Sequence, residues 1–148
     1  MSRLELPLAY RTLQSTGEVV LRAELDLDLK TNQGFWETAT FRVDSGTEMT
    51  SMRAETAKKL NLPIPKRPVR GLSFQGQEVR PGLLRARVVG MDATEYAFPC
   101  YFLGDPNVPL PNATNLLGLT GVINQIRLTF DGATSLVAPY GVLVVEKR

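Results

Sequence analysis

Residues 18–30, EVVLRAELDLDLK, alternate strictly between apolar and charged side chains from Leu21 onward. A period of two predicts a strand with one face buried and the other in water. Asp26 and Asp28 fall on the wet face, so the pattern predicts that these carboxylates are only solvated charges. The apolar members of the alternation are Leu21, Ala23, Leu25, Leu27 and Leu29.

Most of the remaining chain also has the composition of strands and turns. Residues 31–34, TNQG, suit a turn, after which residues 35–43 return as a second strand. The one good helical stretch is residues 51–63, with Ser51 as its N-cap and Pro63 marking its end. No linker or repeat divides the sequence, so we expect one all-β domain over residues 1–148. Further strands are predicted around a hairpin at 71–76, at 94–103, before Asp131 and in the tail 136–147, with a loop at 104–115.

Residue counts restrict the chemistry that the chain can perform. The sequence has no histidine, which excludes Ser–His and Cys–His nucleophilic systems and His-ligated zinc. Its single cysteine, Cys100, lies in the apolar run YAFPCYFL and is predicted to be a buried thiol. Catalysis would therefore use carboxylates, hydroxyls, lysines or the backbone, and we expect neither a metal nor a cofactor.

Charge and hydropathy bear on the partners of the chain. The net charge is +2, and the arginines between residues 67 and 87 are interrupted by apolar residues and prolines. This pattern is typical of a solvated strand face, so no nucleic-acid partner is expected. No apolar run is long enough to span a membrane, and the first residues lack the features of a signal peptide. We therefore expect a cytoplasmic protein with no membrane partner.

Asp44 differs from the other five aspartates, which occupy a polar strand face or turns. It ends the apolar strand FRV and is followed by Ser45, Gly46 and Thr47. One interpretation is a turn in which the carboxylate bonds its own amides. The other is functional, because small residues allow backbone N–H groups and hydroxyls to converge on a carboxylate. The residues alone leave both open.

Three segments together resemble a known family. FRVDSGTEMTSM, residues 41–52, resembles the active-site loop of aspartic proteases, and LLGLTGVINQIRLTFD, residues 116–131, is similar to their second signature. Between them, the glycine-bounded segment 71–76 stands where the family has its substrate-covering flap. One copy of each signature matches the retropepsin-like (retroviral-type) members, which are homodimers. The resemblance implies an all-β, closed β-barrel-like fold with one or two short helices, assembled as a two-fold homodimer.

The resemblance also implies roles for the residues of the loop. Asp44 would be catalytic, sharing one proton with Asp44 of a second copy and activating a water for attack on a peptide bond. Ser45 would hydrogen-bond across the dimer, and Gly46 would let the backbone approach the carboxylates. The Thr47 hydroxyl would donate to the carboxylate, and activity would be highest at acidic pH.

The implied substrate is an extended peptide or protein with hydrophobic residues at the cut. Thr120 departs from the family, which usually has Asp or Asn near that place. Two alternatives stay open: an inactive, dimeric peptide-binding or regulatory module, and a plain interaction module in which DSG is only a turn. The implied flap tip is Leu72, Ser73, Phe74 and Gln75, and the implied ψ-loop support is Leu116, Leu117 and Gly118.

Overall fold

The computed structural model describes residues 2–13, 15–110 and 114–148, which form an all-β protein. Part of the predicted loop at 104–115, residues 111–113, lies outside the described residues. The strands are β1 Arg3–Pro7, β2 Ala9–Thr12, β3 Val19–Arg22, β4 Glu24–Lys30, β5 Trp36–Val43, β6 Thr50–Arg53, β7 Ser73–Phe74, β8 Gln77–Val88, β9 Tyr96–Leu103, β10 Leu116–Leu117, β11 Ile126–Asp131 and β12 Val142–Lys147, and the helix is α1 Ala54–Lys59.

Seven strands form the main sheet, in the order β4–β5–β10–β6–β9–β8–β7. Strand β4 also pairs with β8, so the hydrogen-bonded order returns to its first strand. The inward side chains form one hydrophobic core that includes Leu27, Phe41 and Phe98, all with no exposed surface. Cys100 is in this core as predicted, and burial raises the pKa of its thiol.

The long alternating segment forms two strands, which corrects the prediction of one. Strand β3 pairs with β2 in a separate two-stranded sheet, and β4 pairs with β5. Leu25, Leu27 and Leu29 are buried as predicted, whereas Leu21 is 48% exposed. The alternation runs through both strands, but β3 belongs to the separate sheet with β2, and its Leu21 is left partly in water.

The helix is shorter than predicted and begins later. Ser51 is not its N-cap: it lies in β6, buried, opposite Leu116 and Tyr101. The helix starts after Arg53 without a side-chain cap, and Asn61 has a positive φ of 58° beyond its end. Pairing with two neighbouring strands therefore outweighs the capping preference of serine. Within the described ranges, no helix is long and apolar enough to cross a membrane.

A second sheet joins the two ends of the chain. Its order is β1–β12–β11, with both pairings antiparallel. The predicted tail strand is shorter than 136–147: it begins at Val142, and Leu136 and Val137 lie outside it and are exposed. Strand β12 is the central strand of this sheet, and its partner β1 comes from the same chain. Leu143 and Val145 of β12 point into the main core, which attaches the terminal sheet to the rest of the domain.

Candidate active site

Asp44 is positioned by a short strand inserted between two strands that are consecutive in the sequence. Strand β10 pairs in parallel with β5 and antiparallel with β6, so the chain from β5 to β6 loops around it. The backbone N–H of Asp44 donates to the carbonyl of Leu117 at 3.1 Å. Leu116 and Leu117 thus lie directly against the strands on either side of the loop, and their role as its support in an active site stays a prediction.

Gly118 allows the two segments to touch. A Cβ atom at this position would lie 2.5 Å from the carbonyl carbon of Met49 and 2.7 Å from its oxygen. The N–H of Gly118 donates to the buried Thr50 hydroxyl at 3.1 Å, and the N–H of Thr120 donates to the Glu48 carbonyl at 2.8 Å. Thr120 thus joins the loop through its backbone, despite its departure from the family pattern.

The carboxylate of Asp44 has a different partner on each oxygen. Oδ1 accepts a hydrogen bond from the Gly46 N–H at 2.9 Å, as expected of a small residue that lets the backbone approach. Oδ2 lies 3.4 Å from Nη2 of Arg42. Arg42 was not among the predicted site residues, although it precedes Asp44 by two residues at the end of β5, a spacing at which side chains of extended backbone share a face.

The hydrogen bond from Gly46 is not by itself a functional sign. Asp105 accepts from the Asn107 N–H at 2.8 Å and Asp131 from the Ala133 N–H at 2.9 Å, in the same local arrangement. Asp92 does so with Thr94, whose side-chain and backbone hydrogen bonds lower the pKa of Asp92. Asp92 also has a cationic neighbour, Lys147 at 3.5 Å. Asp44 differs from these residues through the hydrogen bond of its backbone to β10, which does not follow from a local turn.

The hydroxyl of Thr47 does not serve the expected purpose. It donates to the carbonyl of Met49 at 3.5 Å instead of to Asp44, because that carbonyl belongs to the same tight loop. The side chain of Ser45 is exposed at the end of the loop. Its expected bond across a dimer stays a prediction.

The predicted tip at Leu72 to Gln75 is misplaced, because Ser73 and Phe74 lie in strand β7. The chain does form a hairpin within the predicted segment 71–76, and its turn is Gln75–Gly76. Both residues have positive φ, 53° and 74°, as a two-residue type I′ turn requires. Ser73 pairs with Glu78, and the ring of Phe74 lies edge-on to Tyr101 at 5.6 Å between centroids. Leu72 is half-buried. Among the described residues, no hydrogen bond joins this hairpin to the loop at 44–47, so its role as a flap stays a prediction.

Asp44 opens onto a cleft of about 370 Å³. Arg22, Arg42 and Ser45 supply its other polar groups. A larger cleft of about 770 Å³ lies elsewhere, near the end of α1 and strand β8, and contains neither Asp44 nor Arg42. In the part of the chain that the structure describes, no group of acidic or cysteine side chains could hold a metal ion. The apolar walls of the smaller cleft are Leu13, Val20, Leu21, Ala23, Val43 and Phe130.

Comparison with known proteins identifies the fold. The crystal structure of a retropepsin-like aspartic protease from Rickettsia conorii superimposes on the chain with a TM-score of 0.55, over 98% of this chain and 92% of that protein. The chain has the retropepsin-like fold. At 14% identity the likeness concerns the fold alone. No protein-family model matches the sequence, and no curated protein matches it.

The retropepsin-like fold accounts for the order of the sequence features. The loop at 44–47 and the segment Leu116–Gly118 lie far apart in the sequence, yet the fold brings them into direct hydrogen-bonded contact. The resemblance inferred from the motifs is therefore confirmed at the level of the fold.

Proposed function

We propose that the protein is an aspartic endopeptidase whose active site uses Asp44 from each of two copies of the chain. The observation that carries this proposal is the position of Asp44: it ends β5, is hydrogen-bonded to β10, and presents its carboxylate to a cleft. The retropepsin-like fold supports it. No metal or cofactor takes part in the proposed reaction.

The chemistry requires two carboxylates. The charged member takes a proton from a water as that water attacks the peptide carbonyl, and the protonated member polarises the carbonyl oxygen. One chain supplies one such residue, so the second carboxylate comes from Asp44 of another copy. Two carboxylates in close contact share one proton, because both cannot ionise at low cost. Ser45, exposed beside Asp44, is placed to hydrogen-bond across such a pair.

Exposed apolar side chains support the homodimer. Leu136 and Val137 are 103% and 84% exposed. Tyr10 and Tyr140, also exposed, pack edge to face at 4.6 Å between ring centroids. Burying exposed apolar side chains such as these against a partner is favourable. A second copy of the chain would cover these side chains. In each copy, the ring of main-sheet strands would form a closed, barrel-like body.

We propose an extended peptide as the substrate. Its backbone would add a strand between the loop at 44–47 and the hairpin around Gln75–Gly76. The apolar walls of the cleft would accept a hydrophobic side chain beside the cut, and Leu72 and Phe74 would cover it.

One observation favours the alternative of an inactive, dimeric peptide-binding module. The guanidinium of Arg42 lies 3.4 Å from Oδ2 of Asp44, so one oxygen of the carboxylate already has a partner within the chain. The proposed reaction instead needs both carboxylates to face a water and a peptide bond. Activity then distinguishes the alternatives, since both have the same fold.

The test is the cleavage of a mixed peptide library by the wild type, Asp44→Asn and Asp105→Asn. The pH is varied between about 3 and 8, a range that includes the ordinary pKa values of carboxylates. Asp105 makes the same turn bond as Asp44, so its variant controls for the local structural effect. We expect cleavage by the wild type and Asp105→Asn, and none by Asp44→Asn. Equal cleavage by all three would exclude Asp44 as the catalytic residue.

A folded dimer that cleaves nothing at any pH would favour the binding module. Sedimentation at micromolar concentration reports the dimer independently. A monomer under those conditions would contradict the two-copy active site, whatever the cleavage result.

A further inference from the structure

The cleft beside Asp44 combines apolar walls with two guanidinium groups. Arg22 and Arg42 both line it, and Asp44 is the single carboxylate among its lining residues. The two arginines come from different strands, which the hydrogen bond from the Val43 N–H to the Ala23 carbonyl, at 2.9 Å, holds together. The lining therefore carries one more positive than negative charge.

The two arginines are not equally engaged. Arg42 lies 3.4 Å from Asp44. Arg22, by contrast, has no ion-pair partner among the described residues, and its Nε is buried without a hydrogen-bond partner. Among the described residues that line the cleft, Arg22 is therefore the cation that no carboxylate of the protein engages.

We propose that this cleft binds the side chain of a glutamate next to the scissile bond, with Arg22 as the residue that selects its carboxylate. The inference rests on the proposed function. It replaces the expected hydrophobic residue by glutamate at one position of the substrate. Asp44 and Ser45 form part of the lining, so a side chain bound here belongs to a residue beside the reacting peptide group.

Three features favour glutamate over other side chains. Leu13, Val20 and Phe130 provide apolar surface for its methylene groups. A guanidinium matches a carboxylate in charge and in planar, two-pronged geometry. The volume of about 370 Å³ lies within the usual range for ligand pockets, about 300–1,000 Å³, so the cleft has room for a glutamate side chain.

The test measures binding to the wild-type chain with peptides whose central bond is a non-hydrolysable ketomethylene group, so that no peptide is cut and the pair of Arg42 and Asp44 stays intact. The probes are short, labelled, C-terminally amidated peptides that differ only in having Glu, Gln or Leu beside the central bond. We expect the Glu peptide to bind at least about tenfold more tightly than the Gln peptide, as a charge-assisted hydrogen bond requires. Adding Arg22→Met should reduce this ratio to within about twofold while leaving the Gln affinity unchanged.

Arg11→Met is the matched control. Arg11 belongs to the same hairpin of β2 and β3 but pairs with Glu24 at 3.3 Å and does not line the cleft. The control should keep the full preference for Glu. Circular dichroism of each variant confirms that it is folded.

Equal binding of the Glu and Gln peptides, tighter binding of the Leu peptide, or no binding of any peptide would each overturn the inference. Tighter binding that is seen only when the peptides carry a free C-terminal carboxylate would also overturn the inference, because the cleft would then bind the end of a chain. Cleavage by the wild type separates this inference from the proposed function. If the chain prefers the Glu peptide but cleaves nothing, the glutamate site stands and the proposed protease activity is rejected. If it cleaves peptides without a preference for Glu, the protease activity stands and the glutamate site is rejected.

Discussion

Replacing Gly118 by alanine tests the contact that holds the loop at 44–47. The new Cβ would lie 2.5, 2.7 and 2.9 Å from the C, O and N atoms of Met49, all of them backbone atoms. Because carbon atoms pack at about 3.5–4.0 Å, the two segments must separate by about 1 Å. A shift of that size breaks the 3.1 Å bonds from Gly118 to Thr50 and from Asp44 to Leu117.

The expected decrease in the free energy of unfolding follows from these changes. Overpacking of a closely packed site costs about 1–3 kcal/mol, and each lost hydrogen bond adds about 1 kcal/mol. Replacing glycine restricts the unfolded chain and returns about 0.4–1 kcal/mol. We therefore expect Gly118→Ala to lower the free energy of unfolding by about 2–4 kcal/mol, or Tm by roughly 5–15 °C for a chain of this size.

The assay is urea unfolding followed by the fluorescence of Trp36, the single tryptophan, at one fixed protein concentration. Gly132→Ala is the matched control, because a Cβ there meets nothing within 4 Å. It should leave stability unchanged or raise it by up to about 1 kcal/mol. If Gly118→Ala unfolds within about 0.5 kcal/mol of the wild type, a size typical of neutral surface changes, the close approach of β10 to Met49 is refuted.

Two further substitution and reactivity tests address the same region and the core. Thr50→Val should destabilise the protein by about 1–3 kcal/mol, because it leaves the buried N–H of Gly118 without its acceptor; an unfolding midpoint equal to that of the wild type would contradict this. The thiol of Cys100 should react with an aromatic disulfide reagent at pH 8 only after unfolding, since burial raises its pKa and keeps it neutral. Rapid labelling of the native protein would show that the thiol is accessible.

Local periodicity predicted those elements whose neighbours in the sequence are also their neighbours in space. Strands β4 and β5 form a hairpin around a turn with Gly34 at a positive φ of 82°, and both were predicted. Leu21 was wrongly assigned to the core, because an apolar face in the sequence does not say which strand covers it. Ser51 was wrongly assigned as a helix cap, because its partners Leu116 and Tyr101 come from distant parts of the sequence.

The same distinction applies to the candidate site. The turn bond at Asp44 could be predicted from DSG, yet Asp105 and Asp131 make the same bond in ordinary turns. What separates Asp44 from them is non-local: the insertion of β10 beside β5, and a cleft to which β3 contributes Arg22. Comparing the Asp44 and Asp105 variants therefore removes the local contribution, and any difference in activity between them measures what the fold adds to an otherwise ordinary turn.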